Sequence, residues 1–481
     1  MVLRDADLDA LTIVRRQPFA AVNLISDPIH GYVELTKRLA PDESAATGLP
    51  AEDAAEEDLL DTAWLQRLRR ISQLQSARWV FPTAEHSRFT HGLGVMHEAG
   101  LWARALYPSL RTALADAHEP IPSEGLVVET LRMAGLLHDV GHGPFAHFFD
   151  DHVLADFEAP ADPRRPDGKR LTHEDLSGRI IEDELGPLLR ALRRAPGAVA
   201  ERDGFADGES IDPRWVAFLI SKPALVDDAM PRWVRWLQPL LSGVFTVDNL
   251  DFVRRDAYLT GVSIGPVDVE RLRRYAFVSD RGLTLYGSGI AALEMFLTAR
   301  RFIYQQVYFH RTVRAIDLDL RDVFGPSVRA IFGDGSPADH LSAYADLDEY
   351  ALLHQAARWA RGESLADRPV PGDGTVTAAI ADAWRAILLR RPTWRAEAEF
   401  RAEYDAGGRP DDRIAALGAA IPGAVAIDLA EVDARPGDPA VAGRALALEG
   451  RDGAPIPLEV ALGSIAPYWL IARRYRRREA R

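Results

Sequence analysis

Apolar residues recur at helical spacing through the first two thirds of the chain. Between Ala291 and Ile316 they return every three or four positions, which predicts one face of a long helix. The same periodicity predicts a second helix from about Asp61 to Leu74. We therefore expect a mainly α fold whose helical core covers residues 59–400.

The pattern changes after about residue 410. Residues 423–432 and 444–462 read as strands, and Asp452-Gly453 within the second stretch is a typical hairpin turn. The chain is thus predicted to end in a small α+β lobe over residues 401–481.

Three stretches rich in Pro, Gly, Ala and charged residues show little apolar periodicity, so we expect them to be surface insertions. They are residues 41–58, 155–170 and 361–376. The first gives the N-terminal segment, residues 1–58, an acidic insertion.

Composition adds constraints on chemistry and location. The chain has 481 residues, of which 47% are hydrophobic, enough for a substantial core. It has no cysteine, which excludes disulfides, a thiol nucleophile and cysteine-ligated zinc. The N-terminus lacks a signal-peptide pattern and no run of about 18 apolar residues occurs, so we expect a cytoplasmic protein without a membrane partner.

The net charge of −14 argues mildly against a general nucleic-acid binder and leaves that partner class open. One basic cluster stands out at the C-terminus, and we interpret it as a solvated helix end favoured by the helix dipole. It consists of Arg473, Arg474, Arg476, Arg477, Arg478 and Arg481.

Histidines are clustered in one part of the sequence. Nine of the 13 histidines lie between residues 86 and 173, and the dipeptide His138-Asp139 is among them. Imidazole and carboxylate groups together suit a divalent metal ion, and Mn²⁺, Fe²⁺, Zn²⁺ and Mg²⁺ all remain possible. This clustering predicts a metal site.

Several strings carry a family resemblance, in order, over roughly residues 20–320. They are SDPIHGYVEL (26–35), the stretch 59–95, HDVGHGPFAH (138–147), LTHED (171–175), VDNLDFVRRD (247–256) and RRFIYQQVYFHR (300–311). The chain resembles the HD-domain phosphohydrolases, and within them the dNTP triphosphohydrolases related to the vertebrate sterile-alpha-motif and HD-domain enzyme. The resemblance implies an HD-domain helical core.

The resemblance also implies the catalytic groups. The matching metal ligands are His91, His138, Asp139 and Asp248. His147 and Asp150 stand three residues apart, so on a helix they would share one face, and they match the pair that supplies the general acid. Further active-site positions, with histidines at phosphate contacts, match His142, His173 and Glu174.

Substrate contacts can be carried over in the same way. The resemblance implies sugar and base contacts from Gln73 and Leu74, recognition of the 3′-hydroxyl by Asp256, and phosphate contacts from Arg88 and Arg300, with Tyr304 and Tyr308 toward the sugar or base. Two positions depart from the vertebrate pattern. Asn249 replaces a lysine and Phe252 replaces a tyrosine, which makes tripolyphosphate specificity the least supported part of the prediction.

A regulatory site is matched in part. Asp61, Gln66 and Arg69 align with residues that hold a guanine base in the allosteric site of the vertebrate enzyme, whereas Asn23 replaces a lysine that supports the effector's phosphates. An intrahelical Asp/Arg pair is the alternative interpretation. The resemblance further implies a homo-oligomer, dimer or tetramer, with a possible nucleotide activator.

Two hypotheses of function follow. The first is metal-dependent hydrolysis of dNTPs to deoxynucleoside and tripolyphosphate by water attack at the α-phosphorus, with another nucleotide or polyphosphate as the nearby alternative. The second is a non-catalytic regulator that binds nucleotide or nucleic acid on a retained HD scaffold. All four metal ligands together with His147 and Asp150 favour the enzyme, since a binding protein has no chemical need for the full set.

Overall fold

The structure is a computed structural model that describes residues 21–159, 170–199, 202–221, 229–363, 372–405, 407–418, 425–434 and 446–478. Within these residues the fold is mainly α, with small sheets, as expected. None of the helices in this part of the chain is long and apolar enough to cross a bilayer.

The first helices run to the middle of the chain. They are α1 (Pro41–Thr47), α2 (Glu56–Leu60), α3 (Ala63–Arg67), α4 (Arg88–Asp116), α5 (Glu124–Leu137), α6 (His147–His152), α7 (His173–Arg179), α8 (Gly186–Ala191), α9 (Pro213–Ile220), α10 (Arg232–Leu237), α11 (Pro239–Ser242) and α12 (Val247–Thr260).

The later helices follow in the same manner. They are α13 (Val269–Tyr275), α14 (Ile290–Ile303), α15 (Arg311–Arg321), α16 (Phe324–Phe332), α17 (Leu341–Ala345), α18 (Glu349–Trp359), α19 (Ala378–Leu388), α20 (Asp411–Gly418) and α21 (Leu458–Ala461). Short 3₁₀ and π turns connect several of them, including Leu68–Arg70, Gln75–Trp79 and Tyr304–Tyr308.

The strands form four small sheets. Antiparallel hairpins are made by β1 (Val22–Asp27) with β2 (Gly31–Thr36) and by β3 (Arg194–Val199) with β4 (Arg202–Gly204). A three-stranded sheet has the order β5-β6-β9, from Ala276–Ser279, Gly282–Tyr286 and Ala447–Glu449. The last has the antiparallel order β7-β10-β8, from Trp394–Tyr404, Tyr468–Arg477 and Val425–Asp433.

Helices α4 and α5 pack antiparallel at the centre of the core. The hydroxyl of Ser123 caps α5 by accepting from the Leu126 N–H. Gly92 and Gly135 let the two backbones approach, because a Cβ at Gly135 would lie 2.9 Å from the Val95 carbonyl oxygen. This contact sets the first turn of α4 beside the last turn of α5.

Helix α12 packs against α4, and its first turn lies beside the first turn of α4 and the end of α5. Thr246 caps α12 by accepting from the Asn249 N–H at 3.0 Å, and Gly261 ends the helix with a φ of 73°. These caps fix Asp248 in the first turn of α12. The ends of three helices therefore meet at one point.

The predicted helix over residues 291–316 is interrupted. Helix α14 ends at Ile303, a π turn follows over Tyr304–Tyr308, and α15 begins at Arg311. The His310 side chain accepts from the Thr312 N–H and caps α15. The apolar spacing continues through the break, so periodicity alone does not reveal it.

The predicted helix over residues 61–74 is shorter than expected. Helix α3 ends at Arg67, and after one 3₁₀ turn Ile71 is extended. Ser72 then pairs with Ser87 in a β-bridge. Long-range pairing thus replaces the last turn of the predicted helix.

The prediction of a basic terminal helix is wrong. Residues 468–477 form β10, the central strand of the last sheet. Arg473 is buried there and donates to the Phe309 carbonyl at 2.6 Å and to Glu399 at 2.5 Å. The sheet partners hold the arginines in an extended segment, and Arg481 lies outside the described residues.

The C-terminal strands match the expectation in part. Strand β8 covers most of the predicted 423–432 segment, whose first two residues are not described. The 444–462 segment has only the short strand β9, a turn at Gly453 with a φ of 78°, and helix α21. Pro455 and Pro457 account for the early end, since proline cannot donate to a sheet.

The predicted borders and insertions need two corrections. Strand β7 starts at Trp394, so the border placed at residue 401 falls inside a strand, and β9 pairs with β6 of the core. The 41–58 insertion contains α1 and α2, and its Glu56 is buried against Arg132. Much of the other two insertions, residues 160–169 and 364–371, lies outside the described residues.

Candidate metal centre

Three predicted metal ligands converge where α4, α5 and α12 meet. Ligand atoms of His91, His138 and Asp248 all lie within 4.8 Å of one another. The Asp248 Oδ1 atom is 3.1 Å from His91 Nε2 and 3.8 Å from His138 Nε2. Both Nε2 atoms are buried and neither makes an aligned hydrogen bond. Two unpartnered imidazole nitrogens facing one carboxylate fit a divalent cation.

The other nitrogen of each ring is held by the protein. His138 Nδ1 donates to the Gly135 carbonyl at 2.8 Å, and His91 Nδ1 bonds to Asp251 Oδ2 at 2.8 Å. Such contacts select the tautomer that leaves Nε2 as an acceptor for a metal. Burial lowers the pKa of His91, but Asp248 and Asp251 outweigh it and raise that pKa to about 10. A bound cation would replace the proton that these carboxylates attract.

Asp139, the fourth predicted ligand, lies beside this trio. Its Oδ1 is 3.3 Å from His138 Nε2, while its Oδ2 accepts from Arg88 and lies 3.9 Å from His91 Nε2. Burial raises the pKa of Asp139, yet the Arg88 guanidinium and the neighbouring histidines hold it well below its usual range. The carboxylate is therefore ionised and available to a cation.

A second cluster contains His142, His147, Asp150 and His173, whose ligand atoms also lie within 4.8 Å. The sequence predicts that Asp150 orients His147, and these two lie 3.4 Å apart, but Asp150 is much closer to His173 Nδ1, at 2.5 Å. The His142 ring stacks on His173 with centroids 3.6 Å apart.

Charge in this cluster is unevenly shared. Burial lowers the pKa of His173, but Glu174 and Asp150 outweigh burial and raise it to about 9. Burial raises the pKa of Asp150, whereas His173 and His147 lower it overall. Burial next to Arg88 and His173 holds the pKa of His142 well below its usual range. His173 is thus a cation at neutral pH, and His147, whose side chain is 64% exposed, is the member most open to solvent.

Two adjoining cavities open onto these clusters. The metal-side cavity, about 480 Å³, is lined by the first cluster, by His147 and His173 of the second, and by Arg300 and Asn249. The aromatic cavity, about 210 Å³, is lined by Phe252, Tyr308 and Phe309 among others. The residues common to both cavities are Gln73, Arg88, His147, Phe252 and Tyr304. These shared walls place His147 at the junction.

The aromatic cavity has a polar wall. Asp256 is buried, and its carboxylate accepts from the Tyr308 hydroxyl and contacts His86 Nε2 at 2.7 Å. Nearby, the Gln73 Oε1 atom is buried without a hydrogen-bond partner. Leu74 also lines this cavity. The residues for which the resemblance implies sugar or base contacts thus line this cavity together.

Arg300 and Asn249 contact protein groups in this structure. Arg300 Nη1 donates to the Asp433 carbonyl at 2.8 Å, and its guanidinium lies 4.9 Å from the Tyr304 ring centroid. Its Nε atom is buried without a partner. The Asn249 amide donates to Asp248 Oδ2 at 3.3 Å. Asn249 therefore supports a predicted metal ligand and adds no positive charge to the cavity.

Side chains from outside the loop between His138 and His147 donate hydrogen bonds to its backbone. The Tyr344 hydroxyl donates to the Gly141 carbonyl at 2.8 Å, and Arg67 joins the His142 carbonyl, at 2.7 Å, to the Leu347 carbonyl. The residues just before His147, Phe145 and Ala146, have φ values of 60° and 48°. A left-handed backbone at two non-glycine residues is costly, so these contacts help to maintain it.

Glu349 connects the loop between His138 and His147 to Ser72, the neighbour of the predicted substrate contact Gln73. One carboxylate oxygen accepts from the Phe145 and Ser72 amides, both at 3.3 Å, and the other is 2.8 Å from Arg78. Burial outweighs Arg78 and raises the pKa of Glu349 to about 7. Phe145 lies two residues before His147, and Ser72 directly precedes Gln73. Glu349 thus helps to fix the distance between His147 and Gln73.

Comparison with known proteins agrees with this geometry. The HD domain family model matches residues 88–215, which contain His91, His138-Asp139 and the second histidine cluster. A region of just over a quarter of the chain thus matches the HD domain. The expected resemblance to HD-domain proteins is confirmed, and the matched region contains three of the four predicted metal ligands.

Relatives that align over a larger part of the chain than the HD domain are distant. The uncharacterized protein YwfO of Bacillus subtilis is 28% identical over 70% of this chain and 66% of its own length. Human deoxynucleoside triphosphate triphosphohydrolase SAMHD1 is 27% identical over 69% of this chain and 49% of its own, and the Dictyostelium discoideum homolog is 26% identical over 63% and 48%. The alignments thus span about half of the SAMHD1 proteins.

Solved structures share the fold. A hypothetical protein from Aquifex aeolicus has a TM-score of 0.63 at 23% identity, covering 95% of this chain and 96% of that one. A phosphohydrolase from Bacteroides thetaiotaomicron has a TM-score of 0.60 at 21% identity, covering 95% and 100%. The fold shared with these structures therefore extends over nearly the whole chain.

The predicted regulatory residues lie apart from both cavities and contact protein groups. Asp61 pairs with Arg38 at 2.5 Å. Gln66 accepts from Arg69 at 2.9 Å, and the Arg69 guanidinium lies 3.7 Å from the Phe89 ring centroid. A nucleotide site here stays a prediction.

Sequence reasoning missed several residues that support the HD-domain site. Asp251 follows Asp248 by three residues in VDNLDFVRRD, so helical spacing is a signal that could have identified it. Arg67, Tyr344 and Glu349 act through backbone carbonyls and amides of residues far away in the chain. No local pattern marks such contacts.

Proposed function

We propose that this protein is a metal-dependent triphosphohydrolase that converts dNTPs to deoxynucleoside and tripolyphosphate. The observation that carries the proposal is the position of His147 at the junction of the two cavities. The metal-side cavity combines an ion site with cationic groups, which suits phosphates, and the aromatic cavity suits a nucleoside. The bond between the α-phosphorus and the 5′-oxygen would lie between them.

His91, His138, Asp139 and Asp248 would hold the divalent ion. When bound, such an ion polarises a phosphoryl oxygen and lowers the pKa of water. Asp139 stays ionised because Arg88 lies against it, and the Arg88 guanidinium also faces both cavities. Arg88 is thereby fixed where an α-phosphate would sit.

The remaining residues divide binding and proton transfer. His173, held as a cation by Asp150 and Glu174, attracts phosphate oxygens from one wall of the cavity. His147 is exposed to the junction, 3.4 Å from Asp150, and donates its proton to the departing 5′-oxygen. Gln73 and the Asp256–Tyr308 pair bind the sugar of the leaving nucleoside.

The names of the curated relatives support the substrate class. The human and Dictyostelium relatives are named deoxynucleoside triphosphate triphosphohydrolases or homologs. Against a triphosphate stands Asn249, which faces Asp248 where the vertebrate pattern has a lysine. This observation favours, as the second candidate, a nucleotide or polyphosphate that needs less positive charge. We further propose a homo-oligomer, as the resemblance implies.

Product analysis tests the proposal. The protein is loaded with Mn²⁺, Mg²⁺ or Fe²⁺ and incubated with each dNTP, singly and in mixtures, and the products are separated by chromatography. Deoxynucleoside with tripolyphosphate is the expected result, and a need for mixtures would indicate nucleotide activation. A nucleoside monophosphate product would show that the bond between the α- and β-phosphates is broken in place of the bond to the 5′-oxygen, and would contradict the proposal.

Variants separate catalysis from binding. His138→Ala and Asp139→Ala should abolish turnover, whereas His147→Ala should keep Mn²⁺ binding and lose turnover by about 10²-fold or more. His354→Ala, an exposed histidine of α18, is the matched control. Nucleotide binding by the wild-type protein without turnover under any metal would instead favour a regulator.

A further inference from the structure

A carboxylate with no role in the chemistry above lines the aromatic cavity but not the metal-side cavity. Asp317, on α15, lines this cavity together with Ser76 and Arg314. Its side chain is only 17% exposed. An ionised carboxylate set this deeply loses hydration, which is costly unless donors replace the water. The hydrogen-bond donors around Asp317 therefore decide whether its carboxylate can accept further bonds from a ligand.

Among the described residues, one donor reaches each Asp317 oxygen, although a carboxylate oxygen can accept two. The Ser76 hydroxyl donates to Oδ1. Arg314 Nη1 donates to Oδ2 at 3.4 Å, while its Nε and Nη2 atoms donate to Asp428 of β8, at 3.1 and 2.5 Å. Burial outweighs the pull of Arg314 and raises the pKa of Asp317 to about 6. At neutral pH the group is an anion with room for further N–H donors.

The aromatic cavity connects Asp317 with the residues proposed to bind the nucleoside and to protonate its 5′-oxygen. Asp256 and Tyr308 also line this cavity, and His147 lies at its junction with the metal-side cavity. Phe309 and Val313 add apolar wall near Asp317. On the proposed function, a nucleotide with its phosphates at the ion site would extend its base toward Asp317, between apolar walls.

The edges of the four bases differ in what they offer a carboxylate. Guanine presents two neighbouring donors, N1–H and the 2-amino group, which match the two oxygens of one carboxylate. Adenine and cytosine present one amino group next to an acceptor nitrogen, and thymine presents one N–H between two carbonyls. A carboxylate facing an acceptor is repelled, so only guanine fits both oxygens.

We propose that Asp317 is a specificity residue that selects a guanine base, with Arg314 beside it as a donor for the guanine 6-oxo group. The inference rests on the proposed function for the placement of the nucleotide. It requires no additional cofactor and no covalent step. Ser76 orients the carboxylate by its hydroxyl hydrogen bond.

The test compares dGTP with dATP, dCTP, dTTP and dITP, which lacks the 2-amino group. Binding of each to the Mn²⁺-loaded protein is measured by calorimetry, and turnover is measured where it occurs. We expect dGTP to be preferred by about tenfold or more, with dITP intermediate, because a site built for polar contacts rejects analogues that lack them. Asp317→Asn should lose the dGTP preference while binding of dATP changes little.

The control is Asp322→Asn, an exposed carboxylate just beyond α15, which should keep the wild-type preference. Circular dichroism confirms that both variants are folded. Equal binding of the four dNTPs, or an unchanged preference in Asp317→Asn, would overturn the inference while leaving dNTP hydrolysis intact. Selective dGTP binding without hydrolysis would support Asp317 and refute the proposed reaction. Failure of every dNTP to bind would refute both.

Discussion

Replacing Gly94 of α4 by alanine adds a single methyl group, and we expect it to disturb the candidate metal centre strongly. A Cβ atom at Gly94 would lie 2.1 Å from Asp251 Oδ1 and 2.3 Å from Arg255 Nη2. Asp251 holds His91 Nδ1, accepts from Arg255 and contacts His30 Nε2 at 2.6 Å. Gly94→Ala must therefore displace the carboxylate that orients a predicted metal ligand.

The size of the effect follows from these distances. Ordinary C···O contacts are about 3.3 Å or longer, so the Asp251 carboxylate must move by roughly 1 Å. Overpacking of a core costs about 1–3 kcal/mol, and the gain from alanine in a helix is roughly 0.5–1 kcal/mol. Loss of a partner that orients a metal-binding histidine lowers metal affinity by about 10–100-fold. We expect net destabilisation and that loss of affinity together.

Mn²⁺ binding measured by calorimetry, with stability measured by urea denaturation, tests this expectation without any substrate. Gly178→Ala is the matched control, because a Cβ at that helical glycine would meet only Ala217 Cβ at 3.8 Å. The control should bind Mn²⁺ normally and gain up to about 1 kcal/mol in stability. Wild-type Mn²⁺ affinity in Gly94→Ala would refute the role given to Asp251.

Three more outcomes are expected. Asp150→Asn should keep Mn²⁺ binding yet reduce turnover by about 10²-fold, because Asp150 contacts both His173 and His147; unchanged turnover would contradict this. Glu349→Ala should destabilise the protein by about 3 kcal/mol in urea denaturation, since it leaves buried amides without their acceptor and removes the buried ion-pair partner of Arg78, and Glu349→Gln should cost less. The pKa of Asp317 rises from its ordinary 3.8 to about 6 on folding, so its contribution to stability falls between these pH values and is constant above them. Asp317→Asn should therefore be the more stable protein at pH 8, by at most about 3 kcal/mol, and the difference should shrink at pH 5; a difference independent of pH would contradict the burial argument.

Local spacing in the sequence determined the types of element, and the family resemblance pointed to the candidate metal ligands. Helical periodicity identified the core, and HDVGHGPFAH with VDNLDFVRRD contain candidate ligands, His138 and Asp248, whose ligand atoms the structure brings within 4.8 Å. Such patterns are readable because residues three or four apart share a helix face. Periodicity did not reveal the break between α14 and α15, because apolar residues keep a spacing of three or four positions in the sequence through the π turn.

Tertiary structure alone decided which side chains are partners. The sequence paired Asp150 with His147, its neighbour on α6, but packing of α7 places His173 closer to the carboxylate. The basic C-terminal segment became the central strand β10 because β7 and β8 flank it, which no local pattern of arginines indicates.

The same distinction applies to burial and charge. Asp251, Asp317 and Glu349 are ordinary acidic residues in the sequence, and each becomes distinctive only when distant elements exclude water around it. The chain by itself thus determined which chemical groups are available and which faces of its helices are apolar. Long-range packing decided their distances, their hydration and therefore their proton affinities, because these depend on neighbours that the sequence separates by tens to hundreds of residues.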